Sequence, residues 1–427
     1  MSAAGLHEAG RPRLAIIGAG ISGLVCAHRL QKEWDITLFE AADRIGGHTH
    51  TVDVRLDNET QAIDTGFIVF NELNYPRFSS LLNELGVASH PTEMSFSVRC
   101  DLTGLEYNGT GFAGLFAQRR NLVRPSFHRM LRDIVRFNRE CLEVLDASDD
   151  LTVGEYVKKR GYGDAFVEQY LIPMGASIWS APAGTFRAFP IRFVVEFFHN
   201  HVMLSLRGRP QWRVVTGGSQ RYVDAILDRF TGRVMTSSPV QHLRRTPEGN
   251  EVIFNDQRES FDHVIFACHS DQALSILGHD ASRDERALLS AFPYQTNEAV
   301  LHTDTSVLPK RRRAWAAWNY HRRATAIDAP VAITYNMNIL QRLTSSRTWC
   351  VTLNDSANID PARIIGRFTY DHPIYTSGRA DAQQRHRDLI DVNGRSFCGA
   401  YWGYGFHEDG VSSALRICAA LRAPVPA

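Results

Sequence analysis

The chain has 427 residues, of which 44% are hydrophobic and 22% are charged, and its formal net charge is +1. This length predicts two intertwined domains rather than one simple core, and the near-neutral charge gives no support for nucleic-acid binding. The seven cysteines never occur in C-x-x-C spacing, which argues against a disulfide framework or a zinc site and favours a reducing compartment. With no apolar leader and no uninterrupted membrane-length apolar stretch, we expect a cytoplasmic protein.

The first predicted elements are a strand, a tight turn and a helix. Residues 14–17 are apolar, as in a buried strand, and residues 24–30 have helical spacing. The turn between them consists of Gly18, Ala19, Gly20, Ile21, Ser22 and Gly23. Its three glycines permit the tight turn, the approach of the backbone to a pyrophosphate, and close packing of helix on strand. The N–H groups at the helix N-terminus would then face the phosphates.

A second predicted strand, residues 36–39, ends in Glu40, where an acid can accept hydrogen bonds from adenosine ribose hydroxyls. The pattern then continues as E-x-x-x-R-x-G-G, with Arg44, Gly46 and Gly47. Through this pattern the chain resembles the FAD-binding amine oxidase and phytoene desaturase superfamily. The resemblance implies that FAD is held by residues 18–23 together with Glu40, Ala41, Arg44, Gly46, Gly47, His48 and Thr49.

Two later segments also match positions that the superfamily uses for FAD. The D-x-G segment at residues 64–66 corresponds to a stretch beside the isoalloxazine ring, so Gly66 and Phe67 are candidate flavin neighbours. The alternative for this segment is a plain buried strand with a turn. Val240 matches a valine whose backbone holds the adenine edge in the superfamily.

The pattern from residue 77 to about residue 207 changes to mostly helices. Residues 109–114 repeat G-x-G-x-x-G, but no second strand ending in an acid follows, so we expect no separate NAD(P) site. The next stretch is rich in basic residues, namely Arg119, Arg120, Arg124, His128, Arg129, Arg132, Arg136 and Arg139. Such a basic amphipathic helix is typical either of contact with an anionic membrane surface or of a solvated face on a core helix.

The most apolar parts of this region are residues 172–179 and 193–206. In the superfamily an inserted domain of this kind forms the roof over the flavin and the substrate tunnel, so Trp179 is a candidate substrate-lining residue. Ordinary domain core is the alternative. His199 and His201 would point about 200° apart on a helix, so no metal site is predicted.

The closing flavin motif of the superfamily resembles residues 397–411. The resemblance implies that Gly399 contacts the ribityl chain and that a helix N-terminus near Gly410 and Val411 faces the pyrimidine end of flavin. Ala400 replaces the acid that many members carry after the glycine, so the ribityl contacts must differ. Cys398 precedes the glycine and does not match the cysteine of covalent flavin, so we expect non-covalent FAD.

A narrower resemblance rests on residues 46–53, 64–72 and 399–410. These segments look like the bacterial predicted NAD/FAD-binding oxidoreductases related to the N-terminal region of plant cyclopropane fatty acid synthases. Genes of that group often accompany cyclopropane-fatty-acyl-synthase-like methyltransferases, which implies a fatty-acyl or phospholipid-acyl substrate and makes such a methyltransferase a candidate partner. The leading hypothesis is FAD-dependent oxidation, desaturation or isomerisation of an apolar acyl chain. The alternatives are an amine or amino-acid oxidase and a non-catalytic flavoprotein partner of a lipid methyltransferase.

His407 is the candidate acid–base residue, because a histidine pKa lies near working pH and its segment is expected to approach the flavin. A structural histidine beside Glu408 is the alternative. Trp402 and Tyr404 are candidate substrate-lining residues in the same segment.

The predicted fold class is α/β, with a Rossmann-like FAD-binding domain of the glutathione reductase type and an inserted mixed α+β substrate domain. The predicted FAD-binding domain is discontinuous and consists of residues 12–76, 208–270 and 388–424. The predicted substrate domain consists of residues 77–207 and 271–387.

Overall fold

The computed structural model describes residues 10–147, 151–205, 208–247, 249–324, 332–374, 376 and 378–422. Its strands are β1 Arg13–Ile17, β2 Asp35–Phe39, β3 Thr51–Leu56, β4 Glu59–Asp64, β5 Val69–Asn71, β6 Ser89–Pro91, β7 Phe96–Cys100, β8 Leu105–Asn108, β9 Trp212–Val215, β10 Arg233–Met235, β11 Val240–Thr246, β12 Gly249–Phe254, β13 Gln257–Phe261, β14 His263–Phe266, β15 Tyr294–His302, β16 Trp318–Arg322, β17 Ile333–Asn336, β18 Cys350–Leu353, β19 Ile364–Pro373 and β20 Arg395–Phe397. Its α-helices are α1 Ile21–Leu30, α2 Pro76–Leu85, α3 Gly111–Leu115, α4 Pro125–Glu140, α5 Val153–Lys159, α6 Asp164–Phe166, α7 Ile172–Trp179, α8 Ala183–Arg187, α9 Ile191–Asn200, α10 Gln220–Leu227, α11 Ser270–Leu277, α12 Arg283–Leu289, α13 Met337–Leu340, α14 Arg379–Gln384 and α15 His407–Arg422.

A five-stranded parallel sheet has the strand order β10-β2-β1-β14-β20. One face is covered by α1, α2, α10 and α15, and the other by β11–β13 together with α11 and α12. Because both faces are buried, the central strand β1 has a continuous apolar run, with Leu14, Ala15 and Ile16 fully buried. The sheet confirms the predicted α/β class, and its strands come from three separate parts of the chain.

A second, larger sheet has seven strands in the order β19-β15-β18-β17-β16-β7-β8. Its strands β7 and β8 lie in the region that the sequence pattern predicted to be mostly helical, and the parallel pairing of β7 with β16 explains the difference. Ser97 pairs with Asn319, a partner more than two hundred residues away along the chain. A short strand stabilised by such a distant partner carries little local signal. Helices α4, α5, α7 and α9 pack against this sheet in one apolar cluster.

The predicted domain boundaries stay a prediction, although all strands of the five-stranded parallel sheet lie inside the three segments assigned to the FAD-binding domain. Residues 206–207 and 423–424, at the ends of two predicted segments, lie outside the described residues. The G-x-G-x-x-G repeat at residues 109–114 follows β8 of the antiparallel end of the larger sheet and enters only the five-residue helix α3. Within the part of the chain that the structure describes, no helix combines the length and apolarity needed to cross a membrane.

Candidate flavin site

The glycine-rich turn connects β1 to α1 at the carboxyl edge of the parallel sheet. A methyl group on Gly23 would overlap the carbonyl oxygen of Gly18, so glycine is required there for close packing of the helix on the strand. A methyl group on Gly20 would meet no atom within 4 Å, so the backbone borders open space at this point. Gly20 is the N-cap of α1 and no side chain caps the helix. The helix therefore presents uncapped N–H groups to that space.

Glu40 stands at the end of β2 and is tied to the turn. Its carboxylate accepts hydrogen bonds from the backbone N–H groups of Ala19 at 2.8 Å and Ala42 at 3.0 Å. Its own backbone joins the segment after β10, where the N–H of Ser238 donates to the Glu40 carbonyl at 2.9 Å. Val240 follows two residues later and is half-buried at the start of β11. The structure thus brings Glu40, the turn and the Val240 strand to one edge of the sheet, while Ala41 is exposed beside them.

The loop at residues 44–49 lies against the turn. The N–H of Gly46 donates to the carbonyl of Ala19 at 3.0 Å, and the Arg44 guanidinium braces the loop by donating to the carbonyls of Gly47 and Thr49 at 2.7 and 3.0 Å. The N–H of Phe67 donates to the His48 carbonyl at 2.8 Å.

Gly66 is equally tightly placed, because a methyl group on it would overlap the His48 carbonyl oxygen. The predicted cofactor residues from 18 to 67 therefore form one continuous surface.

The C-terminal motif completes that surface. Helix α15 begins at His407, three residues before Gly410, where the helix N-terminus was expected, so Gly410 and Val411 lie buried in its first turns. The Ser22 hydroxyl donates to the Gly410 carbonyl at 3.0 Å, which joins the start of α15 to the start of α1. The Ser413 hydroxyl accepts from the N–H of Gly399 at 3.0 Å and so fixes the preceding turn on the same helix.

His407 lies inside this junction rather than at its surface. Its Nε2 is within hydrogen-bond distance of the hydroxyls of Thr49 at 3.0 Å and Tyr222 at 3.1 Å, and these two hydroxyls also bond each other. The ring stacks on Phe67 with centroids 3.4 Å apart. Burial, with a smaller effect of His48, holds the pKa of His407 well below its ordinary value. This arrangement favours a positioning role, and the predicted acid–base role of His407 stays untested.

Two of the predicted substrate-lining residues belong to one aromatic wall, which consists of Trp179, Phe193, Phe197, Tyr404 and Phe406. Phe197 connects its members, with centroid distances of 4.9 Å to Trp179, 5.6 Å to Tyr404 and 5.4 Å to Phe406. Helices α7 and α9 supply three of these rings and the C-terminal motif supplies the other two. The wall therefore joins the inserted region to the flavin motif.

Trp402 does not join the aromatic wall, although it is only two residues from Tyr404. Its ring stacks on His386 at 4.2 Å and packs edge-on against Phe292. Both contacts lie in the apolar cluster on the face of the parallel sheet that β11–β13, α11 and α12 cover. Trp402 and Tyr401 occupy a short 3₁₀ turn that ends at Gly403, which turns the chain before Tyr404. The structure places Trp402 in the domain core.

Sequence reasoning missed a group of three histidines beside the loop at residues 44–49. The ring of His48 lies 5.7 Å from that of His269 and 5.5 Å from that of His372. Burial is the main cause of their lowered pKa values, which are about 4 for His48 and His269 and about 3 for His372.

All three imidazoles are therefore neutral at pH 7. His269 lies three residues after the end of β14, whose carboxyl end meets that of β1, so its position after the strand was a usable signal. His372 lies on β19 of the other sheet and had no such signal. Among the described residues, no group of three His, Cys, Asp or Glu side chains is arranged to hold a metal ion.

The residues present fit FAD. An open space borders Gly20 and an uncapped helix N-terminus, which suits a pyrophosphate, and Glu40 lies where a ribose hydroxyl would be bound. Cys398, which does not match the cysteine of covalent flavin, is fully buried, and its sulfur lies 4.0 Å from that of Cys26.

Comparison with known proteins agrees with this geometry. The family model described as flavin containing amine oxidoreductase matches residues 21–315, which is more than half of the chain. The flavin-containing amine oxidase A of Canis lupus familiaris is 23% identical over 264 residues, covering 60% of this chain and 48% of that protein. The chain thus matches about half the length of this curated relative.

Solved structures with the same fold cover nearly the whole chain. Putrescine oxidase bound to putrescine superposes with a TM-score of 0.68 at 15% identity, covering 97% of this chain and 99% of that one. A fatty acid isomerase from P. acnes that produces CLA superposes with a TM-score of 0.65 at 13% identity, covering 96% and 99%. At these identities the likeness establishes the fold alone.

Proposed function

Because the chain belongs to the flavin containing amine oxidoreductase family, we propose that this FAD-dependent oxidoreductase acts on an apolar acyl chain. The acyl chain is that of a fatty acid or a phospholipid, and the reaction is an oxidation, a desaturation or an isomerisation. The single observation that carries the proposal is the aromatic wall. It spans the inserted region and the C-terminal flavin motif in an unbroken series of rings from Trp179 to Tyr404.

FAD supplies a hydride acceptor or donor when it is bound. The protein residues supply its binding surface, a rigid junction around it and a wall that excludes water. The partly exposed rings of Phe193 and Phe406, held in place by the buried Phe197, offer only carbon to a substrate, which suits an alkyl chain and gives no group to pair with a charge. Dense aromatic packing also keeps the wall in place while a flexible chain is aligned.

A fatty acid isomerase among the structural neighbours shows that this fold accommodates such a substrate in another protein.

An amine substrate is the second candidate, and a carboxylate beside the wall favours it. Burial raises the pKa of Tyr404, and the negative charge of Glu196 on α9 adds to this effect. A carboxylate next to an aromatic ring can attract an ammonium group. The curated relative and the putrescine oxidase neighbour act on amines by their names.

Anaerobic mixing of the FAD-loaded protein with candidate substrates separates the two. Loss of the oxidised flavin band with fatty acids or phospholipids, and not with amines, supports the acyl proposal. Bleaching by amines alone contradicts it. The variants Tyr404→Leu and Glu196→Gln sharpen the result. An acyl substrate predicts a raised KM in Tyr404→Leu and an unchanged KM in Glu196→Gln, whereas an amine predicts a raised KM in Glu196→Gln.

The association with a cyclopropane-fatty-acyl-synthase-like methyltransferase stays a prediction. Co-purification of the two proteins from a co-expressing host, followed by the flavin assay with and without the methyltransferase, tests it. Faster bleaching by a phospholipid in the presence of the methyltransferase supports a functional association. The absence of both co-purification and a rate change would contradict the association.

A further inference from the structure

Exposed apolar side chains are concentrated in one part of the molecule. Among the described residues, nine large apolar side chains are exposed, and six of them lie between residues 102 and 142. The most exposed are Val123 at 82% and Phe112 at 71%, with Leu122 at 47%. Isolated exposed apolar residues are common, but several together mark an interaction surface.

Two basic segments, far apart in sequence, meet at this place. The buried carboxylate of Glu106 on β8 accepts hydrogen bonds from the backbone N–H groups of Lys310 at 2.9 Å and Arg311 at 3.1 Å. The N–H of Glu106 itself donates to the side chain of Gln118 at 3.0 Å, directly before Arg119 and Arg120. Lys310 and the three arginines that follow it are exposed, as are Arg119 and Arg120.

The same local network carries the apolar residues. Arg120 donates to the Gly104 carbonyl, and the 3₁₀ segment Arg119–Val123 presents Leu122 and Val123. Phe112 lies on α3, whose last turn packs over Asn108, and the Asn108 amide donates to the Trp315 carbonyl at 2.9 Å. We call this surface the basic–apolar patch and define it by Phe112, Leu122, Val123, Arg119, Arg120 and residues 311–313.

The acidic residues in the first basic segment do not neutralise the positive charge of the basic–apolar patch. Between residues 102 and 139 the acidic residues are Glu106 and Asp133, and both are buried. The Asp133 carboxylate accepts a hydrogen bond from the N–H of Gly163. The same stretch holds seven arginines, of which Arg136 forms an ion pair with Glu140 just beyond it, whereas the whole chain has a net charge of only +1. The positive charge is thus local.

We propose that the basic–apolar patch docks this protein on an anionic lipid bilayer, with Phe112, Leu122 and Val123 entering the headgroup region and the arginines pairing with lipid phosphates. Protruding apolar side chains surrounded by exposed arginines, with acids held inside, match the chemistry of such a surface. A nucleic acid would use the arginines but would leave the apolar tips in water. The inference deepens the acyl-chain proposal, because a docked protein would meet its substrate in the membrane.

Co-sedimentation of the FAD-loaded protein with vesicles tests the docking without any turnover. The structure predicts binding to vesicles that contain phosphatidylglycerol, weaker binding at high salt because exposed charges are screened, and little binding to pure phosphatidylcholine. The variants are F112S with V123S, and R311Q with R312Q and R313Q. Each is expected to lower the partition coefficient about tenfold or more. Circular dichroism and FAD content check that each variant is folded.

Matched controls place the same changes elsewhere. L73S alters a side chain that is 61% exposed, and R244Q with R245Q removes two exposed charges from β11. Both controls should bind vesicles as the unaltered protein does. The proposal is overturned if phosphatidylglycerol vesicles are not bound at low salt, if the controls lose as much binding as the patch variants, or if light scattering shows a dimer that F112S with V123S dissociates. Vesicle binding without flavin bleaching by any lipid would contradict the acyl substrate and leave the docking intact.

Discussion

The imidazole of His407 lies flat on the phenyl ring of Phe67, with ring centroids 3.4 Å apart and planes 14° from parallel. This contact joins the first residue of α15 to a segment predicted to lie beside the flavin. Since Nε2 is also bound between Thr49 and Tyr222, the ring is held from one face and one edge. His407 therefore connects three parts of the cofactor surface.

Replacing His407 with Asn should weaken the cofactor surface more than the chemistry. We expect a loss of about 1–3 kcal/mol in the free energy of unfolding, because buried hydroxyl partners lose a hydrogen bond. FAD should be released more readily, while turnover per bound FAD stays within about threefold of the unaltered enzyme. Denaturation, dialysis and single-turnover bleaching measure the three quantities. His90→Asn, a half-buried histidine bonded to Thr216, is the control.

The opposite pattern would establish the acid–base role of His407. In that case turnover falls by about 10²–10⁴-fold while FAD retention and stability hardly change.

The histidine group should make the folded protein sensitive to acid. The folded pKa values of His48, His269 and His372 lie at about 4, 4 and 3, below the ordinary 6.5, so the unfolded chain takes up protons first. Their contribution to stability is complete above pH 6.5 and is lost progressively as the pH falls toward 4. Urea unfolding across this range measures the slope.

The variant His372→Gln should reduce that slope, whereas the exposed His279→Gln should leave it unchanged. Equal slopes for His372→Gln and the unaltered protein would mean that this group does not govern the acid response.

Asp64 should be a major determinant of stability. Its fully buried carboxylate accepts hydrogen bonds from the hydroxyl of Thr51, from both the N–H and the hydroxyl of Ser219, and from the Gln341 amide. Asp64→Ala leaves these buried donors without an acceptor, so we expect a loss of about 2–4 kcal/mol. Thermal and urea unfolding provide the measurement. Asp53→Ala, an exposed position on the adjacent strand β3, should change stability by less than about 0.5 kcal/mol, and equal losses in both variants would refute the assignment.

Two glycines of the same turn should respond differently to a methyl group. Gly23→Ala places it against the Gly18 carbonyl, so we expect both a less stable apoprotein and weak FAD binding. Gly20→Ala places it in open space on an ordinary backbone conformation, so the apoprotein should stay within about 0.5 kcal/mol of normal. FAD affinity should still fall about tenfold or more, because the backbone can no longer approach a pyrophosphate. Calorimetric titration with FAD measures the affinity. A Gly20→Ala variant of normal stability that binds FAD with full affinity would contradict the placement of the pyrophosphate beside Gly20.

The sequence alone determined the features that depend on neighbouring residues. The turn from Gly18 to Gly23, the second strand ending in Glu40 and the following loop are local arrangements in which each residue type has a steric or electrostatic reason. The family, the α/β fold class and the cofactor follow from them, because a backbone that binds a pyrophosphate needs glycines and a helix N-terminus at fixed spacing.

Only the tertiary structure decided which distant residues meet. Trp402 and Tyr404 are two positions apart, yet the turn at Gly403 sends one ring into the domain core and the other into the aromatic wall. His48 and His372 come together because the His48 ring is within hydrogen-bond distance of the Asp371 carbonyl on β19, more than three hundred residues away along the chain. Glu106 joins two basic segments through backbone hydrogen bonds that no spacing encodes. The physical reason is that long-range pairing and burial depend on the whole chain, whereas turns and helix ends depend on a few adjacent residues.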